Sequence, residues 1–280
     1  MKDDGERQAA RYDAMAGGYA QWWAPVLAPS ALALLDRLES LVGAGARDLL
    51  DVGVGTGNLA LPALRRWPSV RVTGIDASSE MLEVALGQAR SGADAEAERF
   101  AARVAFAANL PYPDASFDVA MSSFVLQLVP SRAKALREIR RVLRPGGTLA
   151  YVTWVRDRIP FAPDRIFDEL LAEAGFDEAS DADGGQGDVP SVGTAAAELR
   201  RAGFRAVTAE GATLDHAFTV ESYISFLTEF DEVSLFEDEM DRAERRRFLA
   251  RLRERLMGLR SEELAFHAPI VYASGIRSDG

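Results

Sequence analysis

"LLDVGVGTGNLAL", residues 49–61, sets an aspartate directly before three glycines spaced two apart. An apolar run ends near Asp51 and a helical pattern starts near Asn58, so the glycines fall in a strand-to-helix turn. Glycine permits positive φ there and lets the backbone approach a ligand closely. The helix N-terminus adds free N–H groups and a partial positive charge. The stretch therefore reads as a nucleotide-holding turn, and its spacing narrows the ligand. Dinucleotide loops follow G-x-G-x-x-G, whose third glycine seats the helix on the strand. Here Gly57 comes one residue early and Asn58 occupies the next position, a form that suits a carboxylate, an ammonium and a ribose better than a pyrophosphate.

The rest of the chain sets the context. Its 280 residues suffice for one large α/β domain or a core with a smaller cap. With 48% apolar and 27% charged residues, the composition is that of a soluble globular protein. No apolar run reaches the roughly 18 residues of a membrane span. The opening "MKDDGERQAARYDAMAGG" is polar and acidic, unlike a secretory signal. The absence of cysteine removes disulfides, thiolate metal sites and a cysteine nucleophile, and a cytoplasmic location is expected. A net charge of −11 argues against a broad nucleic-acid surface. The basic stretch 242–260 carries Phe248, Leu249, Leu252, Leu256 and Leu259 at helical spacing, so its arginines form a solvated outer face. No carboxylates cluster at metal-ligand spacing, and no metal is expected.

Short β-branched runs alternate with helical patterns, the signature of a parallel sheet covered on both faces. Strands are predicted at 48–52, 70–76, 103–108, 117–123 and 148–154. Between them lie helices apolar at three- and four-residue spacing, with Ser78 and Ser131 placed as N-caps. "RPGG", 144–147, stops the third of these helices. Beyond Trp154 come a helix at 161–176 and a polar, glycine-rich stretch at 177–190, which reads equally as a lid or as plain disorder. Another helix leads to a strand at 204–210, and amphipathic segments at 219–237 and 241–258 precede a last strand. The predicted organisation is a single domain over 1–280. It divides into an N-terminal helical segment (1–44), a ligand-binding core (45–155), an insert with the mobile loop (156–191), and the remaining sheet with cap helices near 219–260 (192–280).

At this point four ordered motifs can be laid side by side: "LLDVGVGTGNLAL", "GIDASSEML", "LPYPDASFDVAMSSFVLQLV" and "ALREIRRVLRPGGTLAYV". Together, over roughly 45–155, they resemble the class I S-adenosylmethionine-dependent methyltransferases, in particular the small-molecule group that includes quinone-biosynthesis C-methyltransferases. The resemblance implies an α/β, doubly wound, mostly parallel seven-stranded Rossmann-like sheet, with an N-terminal helical segment and a helical cap inserted late. It also implies S-adenosyl-L-methionine as cofactor and S-adenosyl-L-homocysteine as product. Asp51 and Gly53 would take the methionine end, and Gly55 would let the backbone approach. Asp76, ending the second strand, would bind both ribose hydroxyls, as an acid there does in nucleotide-binding sheets. Val54, Thr56, Gly57, Asn58, Ala77, Leu110 and Ser123 complete the expected cofactor shell. Met81 either packs near the adenine or simply joins helix to sheet. The family's acid before "LP" is missing in "VAFAANLP"; Asn109 or the backbone near Ala108 would serve the adenine amino group instead.

Methyl transfer from a sulfonium is an in-line displacement, so the protein must align the acceptor about 3 Å from the methyl carbon and exclude water. A general base matters only where the acceptor must lose a proton. In the resembling group a tyrosine of such a segment lies over the cofactor, which in "RYDAMAGGYAQWWAPVL" implies Tyr19, with Tyr12, Trp22 and Trp23 around the acceptor and Gln127 at the mouth between them. Adjacent tryptophans point apart on a helix, so at most one faces the acceptor, and each reads equally as a staple of an amphipathic helix to the core. Of the two histidines, His216 is the candidate base or a structural histidine, while His267 reads as packed or at an edge. The expected acceptor is a small, fairly apolar metabolite of quinone, polyketide or other secondary-metabolite type. It would be methylated at O, C or N by a monomer or homodimer that engages neither nucleic acid nor membrane. The alternative is a tailoring enzyme such as a cyclase, which keeps the cofactor without transferring methyl.

Overall fold

The computed structural model describes residues 2–92, 94–156, 159–176 and 187–278. Helices α1 (Lys2–Gly18) and α2 (Ala24–Gly43) are joined by a π-helical turn at Tyr19–Trp23 and lead into β1 (Asp48–Val52). There follow α3 (Ala60–Arg66), β2 (Arg71–Asp76), α4 (Ser79–Ser91), the short α5 (Asp94–Ala97), β3 (Phe100–Val104), β4 (Phe117–Ser123), α6 (Arg132–Val142) and β5 (Leu143–Trp154). The last third supplies α7 (Ala162–Ala174), α8 (Val192–Arg201), β6 (Phe204–Ala217), α9 (Val220–Phe226), α10 (Arg242–Met257) and β7 (Ala265–Arg277).

The seven strands form one sheet in the order β3-β2-β1-β4-β5-β7-β6. β1 to β5 run parallel, while β7 pairs antiparallel with both β5 and β6. The middle strands are sequences that only a sheet covered on both faces accepts: β1 buries Leu49 through Val52, and β4 is buried along most of its length. One face packs on α2, α3, α4, α7 and the late helices, the other on α6 and α8. Winding reverses between β1 and β4, which register Asp51 opposite Met121. A crevice therefore opens beyond the carboxyl ends of these two strands.

Several boundaries differ from the sequence expectation. The third strand ends at Val104, not Ala108, because Ala105 is the last residue bonded to β2, through its N–H to Asp76 O (2.8 Å). The alternation of "RVAFAA" continues past the sheet into the crevice wall. β6 runs on to Ala217, and β5 starts at Leu143, so "RPGG" lies within the strand and not before it. Ser78 caps α4 by accepting from Met81 N–H at 3.1 Å, whereas Ser131 occupies the α6 cap position without a side-chain bond. Of the stretch 177–190 expected to be a loop or lid, 177–186 lies outside the described residues. Its far end is pinned, with Val189 N–H on Trp154 O (3.2 Å). No described helix is long and apolar enough to cross a membrane.

The glycine turn presses on β2 at Gly74, where an added Cβ would meet the Val54 side chain at 2.9 Å. Gly87, on the outer side of α4, has nothing within 4 Å. Gly74→Ala is expected to destabilise by about 1–3 kcal/mol through overpacking. Gly87→Ala should stabilise by up to about 1 kcal/mol. Urea unfolding of both variants checks this, and equal shifts would contradict it.

Candidate functional site

The turn after β1 takes most of its hydrogen bonds from the β2 side. The N–H groups of Gly53 and Val54 both donate to Ile75 O (2.8 Å each), and Gly55 N–H donates to Asp76 Oδ2 at 2.8 Å. Gly53 (φ 75°) and Gly55 (φ 52°) take left-handed backbone. A Cβ on Gly53 would collide with Val125, whereas Gly55 faces open space. The loop is thus packed beneath and exposed above, as a ligand-facing turn requires.

Above it lies a cavity of about 560 Å³. Its floor is Gly53, Val54, Gly55, Thr56 and Asn58; one wall is Asp76, Ala77 and Met81 with Ala108 and Asn109; the opposite wall starts at Ser123 and Phe124. Tyr12 and Tyr19 close it from the N-terminal segment, ring centroids 6.1 Å apart and edge to face. All of these except Phe124, thirteen residues, come from the sequence-predicted site, and the structure brings them together around one space.

Asp51 lies beneath the floor, fully buried, and neither carboxylate oxygen has a hydrogen-bond partner. Burial first, then the charge of Asp76, lifts its carboxyl from 3.8 to about 8, against a weaker pull from the Ala60 N–H, which stands outside hydrogen-bond geometry. Asp76 is also raised by burial, although the N–H groups of Ser78, Gly55 and Ala77 offset part of that rise. Burial, with Tyr12 and Asp76 beside it, keeps the Tyr19 hydroxyl protonated well above the usual phenol range. An orphaned buried carboxylate under an open glycine turn fits a ligand bearing an ammonium group.

Six expected residues do not line the cavity, besides Asp51 below it. Gly57 packs on Leu61 and Ala85. Leu110 is buried elsewhere, its N–H on Glu138 Oε2 (3.1 Å) and its carbonyl on Arg141 Nη2 (3.0 Å). Trp22 Nε1 donates to Glu229 (3.2 Å), and Trp23 packs between Trp154, Phe226 and Phe266, so both rings staple the N-terminal segment to the late helices. Gln127 is consumed internally: its side-chain amide donates to Phe124 O (2.7 Å) and accepts from Thr153 (2.6 Å), and its backbone carbonyl lies against Gly187. His216 sits on β6, the outermost strand, with its ring against Phe218 at 4.5 Å and burial holding its pKa down. It stands three strands from β4 and is no base for this cavity. His267 is exposed on β7 where that strand runs past β5, paired with β6 and bonded to Asp215 at 2.5 Å.

Other lining residues carried no clear sequence signal. Helix α1 forms the roof through Gly5, Glu6, Gln8 and Ala9. It is fixed by Asp13, whose Oδ1 accepts from Ser78 Oγ (2.6 Å) and Glu80 N–H (3.1 Å) at the start of α4. The Ser78 hydroxyl and then the Glu80 N–H keep the Asp13 carboxyl below its usual range. Phe124 adopts φ 55°, a strained conformation for a bulky residue, at the end of β4. Beyond it, Leu128, Val129, Pro130 and Lys134 extend the cavity. No group of three or more metal-ligating side chains occurs among the described residues.

Comparison with known proteins bears on this geometry. A family profile described as a methyltransferase domain matches residues 50–151. The chain is 35% identical over 211 residues to the ubiquinone/menaquinone biosynthesis C-methyltransferase UbiE of Paracoccus denitrificans, taking in 71% of this chain and 80% of that enzyme. It is 43% identical over 120 residues to the 27-O-demethylrifamycin SV methyltransferase of Amycolatopsis mediterranei, 42% of each chain. Further curated relatives are matched over about half their own length. Among solved structures, the YcgJ protein of Bacillus subtilis superposes with a TM-score of 0.54 at 21% identity, covering 88% of this chain and 98% of that one.

The raised carboxyl of Asp51 has a thermodynamic signature. Between its unfolded value near 3.8 and its folded value of about 8, the native state holds a proton that the unfolded chain releases, so stability falls as pH rises through that window. Asp51→Asn should therefore make the ligand-free protein more stable than wild type at pH 7, with the gap closing toward pH 4. Denaturant unfolding at several pH values checks this; a pH-independent difference would contradict it.

Proposed function

The chain belongs to the class I S-adenosylmethionine-dependent methyltransferases, and on that premise we propose that its acceptor is a small, fairly apolar hydroxylated ring compound of quinone or polyketide type, methylated at oxygen, carbon or nitrogen. S-adenosyl-L-methionine is the cofactor, and when bound it supplies an electrophilic methyl group on a sulfonium. The observation carrying the acceptor class is the apolar extension of the cavity past β4, where Phe124, Leu128, Val129 and Pro130 meet one cation, Lys134. The similar enzymes' names point the same way, one to quinone biosynthesis and one to a rifamycin.

In this reading Asp51 and the Gly53 backbone hold the amino-acid end, and Asp76 holds the ribose hydroxyls. Met81 and Ala107 give the base an apolar bed. Tyr19 covers the reacting region as a neutral hydroxyl, and α1 over the top excludes water. The acceptor is aligned by the walls of the apolar chamber, which is where most of the rate advantage arises. No histidine reaches the chamber, so an acceptor hydroxyl is helped to ionise by the positive field of Lys134 and not by an imidazole base. The acidic surface, at net charge −11, favours small molecules over nucleic acid, and the relative that acts on a rifamycin supports a cytoplasmic enzyme of secondary metabolism as part of this reading.

Two substitutions test the halves of this assignment separately. Asp76→Ala should weaken S-adenosylhomocysteine binding at least about tenfold, about 1.4 kcal/mol, in calorimetry. Lys134→Ala should leave that affinity unchanged and lower kcat/KM about tenfold for phenolic acceptors found by a labelled-methyl screen. A Lys134 effect on cofactor affinity, or none on any acceptor, would refute the chamber's role.

A further inference from the structure

The wall that a methyltransferase uses to read the adenine is nearly featureless here. Ala105, Phe106, Ala107 and Ala108 present no polar side-chain group, and Asn109 is exposed. Two polar side chains face the cavity from the roof, Glu6, which is exposed, and Gln8, which is part-buried. Gln8 lines the cavity, and its Nε2 is sealed from solvent with no hydrogen-bond partner. The path of α1 fixes where Gln8 stands. At one end Gly5 lies on Phe106, so that a Cβ there would come within 3.3 Å of the ring. At the other end Asp13 is bonded to Ser78 and Glu80. Gln8 therefore spans the strip between the carboxyl ends of β3 and β2, beside Asp76 and Ala77.

We propose that Gln8 reads the adenine of the cofactor from the roof, replacing the acid that this chain lacks before Leu110. The inference rests on the cofactor placement given above, in which Asp76 holds the ribose. A carboxamide sets a carbonyl acceptor beside an N–H₂ donor. Adenine sets its exocyclic amino donor beside a ring-nitrogen acceptor, and the two match in a bidentate pair. The Gln8 amide nitrogen, sealed from solvent and without a partner in this structure, gains one when the side chain turns toward the base. Base recognition and closure of the N-terminal helix are then one event, since the reading group is carried by the helix that covers the site.

Calorimetric binding of S-adenosylhomocysteine and of its 6-desamino analogue, whose purine lacks the amino group, tests this on the full chain. Wild type should prefer the amino form about tenfold. In Gln8→Ala the preference should vanish, because affinity for the amino form falls while the analogue binds as before. Asp76→Ala should weaken both ligands and keep the ratio. Mere undocking of α1 would also weaken both, so a preserved ratio in Gln8→Ala overturns the proposal. A ratio lost in Asn109→Ala would place the reading on the strand side and overturn it too. Wild type binding neither ligand would remove the cofactor placement and this inference together; wild type binding both equally would remove this inference alone.

Discussion

Two carboxylates, one buried and one at the cavity wall, govern the carboxyl end of this sheet. Asp51 sits at zero exposure with no bonded partner, and Asp76 is near enough to raise it further. A protein folding without its ligand keeps such a pair by leaving a proton on one of them, which costs stability that an amide or an alkyl chain in the same place would not. The cost makes sense as stored affinity. A cationic ligand entering over Gly53 and Gly55 relieves it, while a neutral or anionic one does not. The geometry of the turn follows from the same need. Asp76 spends one oxygen on Gly55 N–H and the other on Ser78 N–H, so it shapes the turn from the β2 side and still faces the cavity.

The N-terminal segment completes what the sheet begins. Asp13 takes the Ser78 hydroxyl and the Glu80 N–H, tying α1 to the helix that follows β2. The π-helical turn then swings Tyr19 inward, with its ring 6.1 Å from Phe230, while Trp22 and Trp23 anchor outward on the late helices. Roof, cap and turn thus meet at a few contacts. The methyl-transfer chemistry needs little from the protein besides this enclosure and alignment, and the scarcity of titratable groups in the chamber is consistent with that.

What the sequence disclosed follows from how each feature is encoded. β1, its turn and β4 were legible because a central parallel strand is an unbroken apolar run and a left-handed turn needs glycine. The third strand was displaced by four residues at its end because alternation alone does not say where a sheet stops and a cavity wall starts. Trp22 and Trp23 read either as pocket lining or as a staple to the core, because a tryptophan serves both with the same composition around it; only Glu229, Trp154, Phe226 and Phe266, remote in sequence, decide for the staple. His216 read either as a base or as a structural histidine, and only strand order, set by the late antiparallel β6 and β7, decides for the second. Gln8 and Lys134 gave no signal, each being one polar residue on an amphipathic helix. The left-handed Phe124 was hidden because nothing in its side chain encodes that strain.

The claim that Asp51 waits protonated for a cationic cofactor is tested most directly by titrating S-adenosylhomocysteine calorimetrically at pH 7 in buffers of different ionisation enthalpy. With a carboxyl at about 8 in the free protein and ionised against the ligand's ammonium in the complex, binding should release about one proton per site. Release should disappear in Asp51→Asn. Tight binding with no proton released, or with the same release from Asp51→Asn, would contradict the account.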